Sequence, residues 1–229
     1  MDDCVPQRQR KINAVVFDFD GTLAHLVIDF EAMKRRVADI AAKWLPMRPE
    51  PDGLPALEWI DALRREVETV SPGDGSAFFL AAHADVQALE VEAAAQGGLF
   101  PFTRDMLAQL SRRGVGTAII TRNCAAAVAM VFPDAADYCR AVLAREAVPR
   151  VKPDPGHLLA ALDILRVPPG EALMVGDHPL DVETGRLAGT RTAGVASGRV
   201  SREELGRAGA DHTADDAREL METLFGEGT

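Results

Sequence analysis

Cysteine is scarce in this chain of 229 residues; there are three, Cys4, Cys124 and Cys139. An odd number at wide spacing suits neither a disulfide framework nor a zinc site. A reducing, cytoplasmic setting is the simpler expectation. Positive charge is short as well. Lys and Arg number 25 against 35 Asp and Glu, a formal net charge of -10. Such a surface repels nucleic-acid phosphates, so no nucleic-acid partner is expected. The same field opposes an anionic substrate, so a phosphate site here has to bring its own local cations. No apolar run is long enough to span a bilayer, so no membrane partner is expected. The opening MDDCVPQRQRK has no apolar h-region, so no secretory signal is expected there. Internal repeats and low-complexity tracts are missing too.

What is present is ordinary for a globular protein: 47% hydrophobic and 26% charged residues. The length allows one α/β domain with a smaller insert. Short apolar runs at 14–17, 117–120, 139–143, 172–175 and 192–196 read as buried parallel strands. Between them lie helical patterns. Met106, Leu107 and Leu110 precede Gly114, a plausible stop. Leu158, Leu159, Leu162 and Leu165 form a stripe opened by Asp154-Pro155, an N-cap candidate followed by proline. Segments 179–187 and 215–224 also read as helices. Strands alternating with helices predict an α/β fold, a doubly wound parallel sheet. Residues 24–98 break the rhythm. Stretches 30–45, 57–70 and 77–95, rich in Ala, Leu, Glu and Arg, predict a helical insert after the first strand. The predicted organisation is a core of 12–23 and 99–225 with a helical cap of 24–98.

The strand ends carry the chemistry. Asp18 and Asp20 are two residues apart, so in extended chain both carboxylates point to one side. The carboxyl edge of such a sheet is where ligands bind. Two crowded carboxylates favour a shared cation or one raised pKa. Taken alone, the pair also fits a strand end whose acids face solvent. Thr121 ends the second run and can offer its hydroxyl and backbone N–H to a phosphate oxygen. Lys152 stands before a helix start and could neutralise phosphate and carboxylates together. Asp177 and Asp181 flank the end of the fourth run and supply hard oxygen ligands suited to Mg²⁺. Each of these has an ordinary structural reading; together they set acids, a hydroxyl and an ammonium on one edge of one sheet.

At this point the chain resembles the haloacid dehalogenase-like hydrolases. Asp18-Phe19-Asp20-Gly21-Thr22-Leu23 is similar to the first signature of that family, and Ile119-Ile120-Thr121-Arg122-Asn123 to the second. Lys152-Pro153 is similar to the third, and Val175-Gly176-Asp177 with Asp181 to the fourth. The position of the insert resembles the helical-cap subgroup, which includes phosphoglycolate phosphatases, sugar-phosphate phosphatases and β-phosphoglucomutases. His178 departs from the small polar residue usual after Asp177.

The resemblance implies that Asp18 attacks phosphorus and forms an aspartyl-phosphate. Asp20 then serves as acid and base. It implies a Mg²⁺ held by the carboxylates of Asp18 and Asp177 and the backbone carbonyl of Asp20, with Asp181 orienting this site from outside. Thr121, Arg122, Asn123 and Lys152 are the expected substrate contacts. The acid Asp20 favours phosphoryl transfer over carbon–halogen cleavage. The expected partner is a small phosphorylated metabolite; the oligomeric state is left open. His25, Lys34, Arg35, Arg36 and Lys43 are candidate cap contacts, each with a plain reading as a solvated face, while Trp44 and Trp59 read as cap core. A phosphomutase, and a silent binding module of the same fold, are the competing readings.

Overall fold

The computed structural model describes residues 11–226. Cys4 and nearly all of the opening segment read above for a signal lie outside them. Strand β1 (Ala14–Phe17) is followed by β2 (Ala24–His25), then by helices α1 (Phe30–Ala41), α2 (Ala56–Val70) and α3 (Gly75–Gln96). The chain continues through β3 (Gly98–Leu99), α4 (Thr103–Arg112), β4 (Gly116–Ile120), α5 (Ala125–Val131), α6 (Ala135–Tyr138) and β5 (Ala141–Leu143). It closes with α7 (Pro155–Leu165), β6 (Ala172–Gly176), α8 (Pro179–Ala188), β7 (Arg191–Val195), α9 (Arg202–Arg207), β8 (His212–Ala214) and α10 (Ala217–Phe225).

Six strands form one sheet in the order β5-β4-β1-β6-β7-β8, and every pairing in it is parallel. The continuous apolar runs are explained by this: Ala14 to Phe17 and Ala118 to Ile120 are wholly buried, covered on both faces. On one face Ala14, Val16, Ala118, Ile120, Ala172 and Met174 pack with Leu158, Ala161, Leu162 and Leu165 of α7. Helix α8 lies so close to this face that a Cβ on Gly185 would stand 2.5 Å from Thr192 Cγ2. From β1 the chain moves to one side, through β4 and β5; from β6 it moves to the other. The connections diverge between β1 and β6, which opens a crevice at the carboxyl ends of these two central strands.

The chain has two compact units, residues up to Leu26 with those from Gly97 onward, and Val27–Gln96. The helical unit is thus shorter than the 24–98 read from the sequence. Ala24 and His25 pair antiparallel with Leu99 and Gly98 and so belong to the sheet-bearing unit. Within the helical unit α1 opens on Asp29, whose Oδ1 accepts from Ala32 N at 2.8 Å. It stops at Ala41, short of the predicted 45. Its core includes Val37, Ile60, Val67, Phe78 and Ala82, all fully buried. Trp44 meets Phe78 edge-on at 5.9 Å, and Trp59 is 3% exposed, so both act as packing. Strand β8 and helix α9 were not legible in the sequence. The third strand begins at Ala141, and Cys139 instead closes α6. Among the described residues no helix is long and apolar enough to cross a membrane.

Candidate active site

The ladder between β1 and β6 runs one residue past the strand: Asp18 N donates to Val175 O at 2.8 Å. This fixes Asp18 at the mouth of the crevice. The chain then turns sharply, with the N–H groups of Thr22, Leu23 and Ala24 all directed at Phe19 O. Gly21 makes the turn possible. Its φ is +82°, and a Cβ there would lie 2.3 Å from Asp177 Oδ2. Gly198 presses on the same carboxylate from the loop after β7, where a Cβ would lie 1.8 Å from Asp177 Oδ2. Gly176 does likewise beside Asp181. Three glycines therefore leave room for acidic side chains that any larger residue would displace.

Lys152 is the hub. Its side chain is 2% exposed, and Nζ lies 2.6 Å from Asp18 Oδ1 and 2.5 Å from Asp181 Oδ1. Burial by itself would lower the ammonium's pKa, but the charges of Asp18 and Asp181 outweigh it and hold the pKa above its ordinary value. The other oxygen of Asp181 accepts from His178 N at 3.1 Å. Both oxygens of Asp181 are thus engaged, one on the lysine and one on the start of α8. Asp20 Oδ1 accepts from Leu26 N at 2.8 Å. Burial pushes the Asp20 carboxyl up to about 7, partly opposed by that hydrogen bond and reinforced by the charge of Asp18.

Asp18, Asp177 and Asp181 each place an oxygen within 4.8 Å of the others. Asp177 is raised well above the ordinary carboxylate range, first by burial and then by the charges of Asp18 and Asp181. One ammonium is shared among these acids. The donor set is all hard oxygen and is short of positive charge, which fits a divalent cation of the Mg²⁺ kind.

With this geometry in place, the likeness to known proteins is specific. The haloacid dehalogenase-like hydrolase family matches residues 12–189. The chain belongs to that family. An N-acetylmuramic acid 6-phosphate phosphatase of Pseudomonas aeruginosa is 29% identical over 233 residues, 95% of this chain and 96% of its own. A phosphoglycolate phosphatase of Pseudomonas putida is 27% identical over 224 residues, 90% of this chain and 78% of its own. A solved hydrolase from Pseudomonas syringae has a TM-score of 0.68 at 23% identity and covers 95% of this chain and 100% of that one, a likeness of fold.

In this hydrolase the second signature differs in detail from the expectation. Thr121 is buried and ends β4, but its backbone N–H donates to Leu143 O at 3.1 Å. That N–H is consumed by the sheet, so the expected pair of phosphate donors reduces to the hydroxyl, which accepts from Asn123 N at 3.1 Å. Asn123 is 8% exposed, and its Nδ2 has no partner among the described residues. A buried amide donor left over at a strand end is a candidate anion contact. The Arg122 guanidinium donates to the carbonyl of Lys152, which ties it to the loop carrying the lysine.

His178 caps α8. Its Nδ1 accepts from Leu180 N at 3.2 Å, and Asp181 returns a bond to its N–H, forming a capping box. This structural role accounts for the departure from a small polar residue. Of the candidate cap contacts, His25 lies on β2 in the sheet-bearing unit. Lys34 donates to Asp52 O at 2.9 Å, Arg36 pairs with Asp85 at 2.5 Å and Arg35 lies 3.9 Å from Asp29. Lys43 is exposed. Sequence reading quoted Gly21 and Gly176 within the signatures without seeing that they fit against Asp177 and Asp181, and it missed the imidazole of His157. The imidazole had no signal beyond its place five residues after Lys152.

Proposed function

We propose that this hydrolase is a Mg²⁺-dependent phosphatase of a small phosphate monoester and works through an aspartyl-phosphate on Asp18. The observation that carries the reading is the pairing of Asp18 with Lys152 at 2.6 Å beside an Asp20 carboxyl whose pKa lies near 7. The first gives a nucleophile held in place under a cation. The second gives a group able to donate and accept a proton at neutral pH.

Asp18 attacks phosphorus, and the P–O bond to the leaving group breaks as the Asp18 O–P bond forms. Asp20 gives its proton to the departing alkoxide. Asp20 then takes a proton from water, which attacks phosphorus and frees the Asp18 carboxylate and inorganic phosphate. Lys152, the Thr121 hydroxyl and the Asn123 amide hold the phosphoryl oxygens while negative charge is redistributed over them. Asp181 keeps Lys152 aimed. The carboxylates of Asp18 and Asp177 and the backbone carbonyl of Asp20 would hold Mg²⁺, which when bound neutralises phosphoryl charge. Cytoplasmic residence agrees with Cys124 and Cys139, which are buried and in no disulfide.

The relatives set the substrate panel: sugar phosphates, including N-acetylmuramic acid 6-phosphate, and phosphoglycolate. Phosphate release is measured with and without Mg²⁺ for the native protein and Asp18→Asn. The expected result is Mg²⁺-dependent release that disappears in the variant. Release unaffected by Asp18→Asn would overturn the mechanism.

A further inference from the structure

His157 is a wholly buried imidazole on the first turn of α7. Its ring forms no hydrogen bond with Asp18, Asp20, Asp177 or Asp181, and the mechanism above gives it no step. Its two nitrogens are both engaged, on different backbone segments. Nδ1 lies 3.3 Å from the Lys152 N–H, and Nε2 lies 3.0 Å from Leu143 O. An N–H can only donate and a carbonyl can only accept. The arrangement therefore selects the neutral tautomer with its proton on Nε2. Leu143 O is shared, since it also accepts from Thr121 N at 3.1 Å. One ring thus joins the end of β5, the end of β4 and the loop that carries the active-site lysine.

From this bridge we infer that His157 is a positioning residue, which fixes the backbone of Lys152 against the ends of β4 and β5 and so aims its ammonium between Asp18 and Asp181. The inference rests on the proposed role of Lys152 in holding the phosphoryl group. The stem of a lysine is long and flexible. Its head meets two carboxylates at 2.5–2.6 Å, which requires the backbone to be held closely. Few other groups could do this. A phenyl ring fills the space but has no acceptor for the Lys152 N–H. Asparagine keeps an acceptor near Nδ1, and glutamine keeps a donor near Nε2. Charge state matters as well. Burial pushes the ring's pKa down to about 4, with Lys152 and Arg122 opposing its protonation and Asp18 favouring it. At neutral pH the ring keeps its Nδ1 lone pair for the lysine's N–H. A protonated ring would set two donors against each other there.

The test uses the full chain, a generic aryl phosphate with Mg²⁺, and the variants His157→Phe, His157→Asn and His157→Gln. In His157→Phe the inference expects kcat to fall on the order of tenfold to a hundredfold with KM little changed, because misplacement of Lys152 is felt most in the transition state. His157→Asn recovers part of the loss, and thermal midpoints do not track the order of kcat. A second readout needs no turnover. The ¹⁵N spectrum of the native ring at pH 7 shows protonated Nε2 and bare Nδ1, and the Lys152 amide resonance moves in His157→Phe and returns toward native in His157→Asn. A folded His157→Phe with native kcat, a Lys152 amide unmoved by it, or a proton on Nδ1 overturns the inference. Inactivity of the native protein, or indifference to Asp18→Asn, would remove the phosphatase reading instead, and the spectra would then decide the positioning role alone.

Discussion

The two compact units of this chain differ in how they hold their ion pairs. In the sheet-bearing unit charge is buried and shared: Lys152 and Asp181 are each 2% exposed and lie 2.5 Å apart. In Val27–Gln96 Glu90 is buried, but the ion pairs lie at the surface, as in the Arg48–Asp39 pair, whose side chains are 38% and 65% exposed. Removing one partner of a buried pair strands the other in a poorly solvating place, whereas an exposed pair exchanges its partner for water. A chain keeps buried charge where it is compensated or used. The contrast therefore supports the proposed site in the crevice between β1 and β6, and it reads the helical unit's ion pairs as solvated faces.

The contrast can be broken first at Asp18. Asp18→Asn keeps the size but removes the proposed nucleophile, and turnover should fall on the order of 10⁴-fold or more, as for other nucleophile deletions. A variant within tenfold of native would end the assignment. Next, Asp181→Asn takes one carboxylate from the buried lysine. Lys152 keeps its pairing with Asp18, so urea unfolding should show a loss of about 1–3 kcal/mol, together with slower turnover. A stability equal to native would mean that the pair contributes little more than an exposed one.

The third expectation concerns pH. The folded-state pKa of His157 lies at about 4, below the ordinary value of 6.5. As pH falls, the unfolded chain takes up this proton first. The stability supplied by the neutral ring is complete above about 6.5 and is lost as pH falls through 4, a total of about 3 kcal/mol. Unfolding free energies measured from pH 7 to 4.5 should decline more steeply for the native protein than for His157→Phe; parallel curves would contradict the buried, neutral ring. The smallest effect belongs to the helical unit. Arg48→Ala breaks an exposed pair, so no resolvable change in unfolding midpoint or turnover is expected. A clear loss would show that this surface does more than meet solvent.

Much of the fold was legible because its signals are local. A strand buried on both faces has to be apolar throughout, and the runs ending at Phe17, Ile120 and Val175 could be seen without a partner. The Asp154-Pro155 helix start is equally local, and Asp154 does cap α7 by accepting from Gly156 N at 2.8 Å. Strand β8 escaped notice because it is three residues long and two of them are only partly buried. The β2–β3 pair escaped because two-residue strands have no period to detect. The β2–β3 pairing holds Ala24, His25, Gly98 and Leu99 in the sheet-bearing unit and leaves Val27–Gln96 to the helical one.

The sequence by itself determined which side chains stand at the carboxyl ends of the strands, because the strand signal and the motif that follows it share one short stretch of chain. Asp18, Asp20, Thr121 and Asp177 could be named on that basis, and Lys152 and Asp181 by their places beside helix starts. Only the tertiary structure decided how these groups are occupied. It showed that the Thr121 N–H is consumed by Leu143 O, that Lys152 joins Asp18 to Asp181, that His178 caps a helix and that His157 bridges two backbones. The reason is physical. The type of a side chain is fixed by the sequence, but its partners, and through burial its protonation, are set by residues far away in the chain that only folding brings within 3 Å.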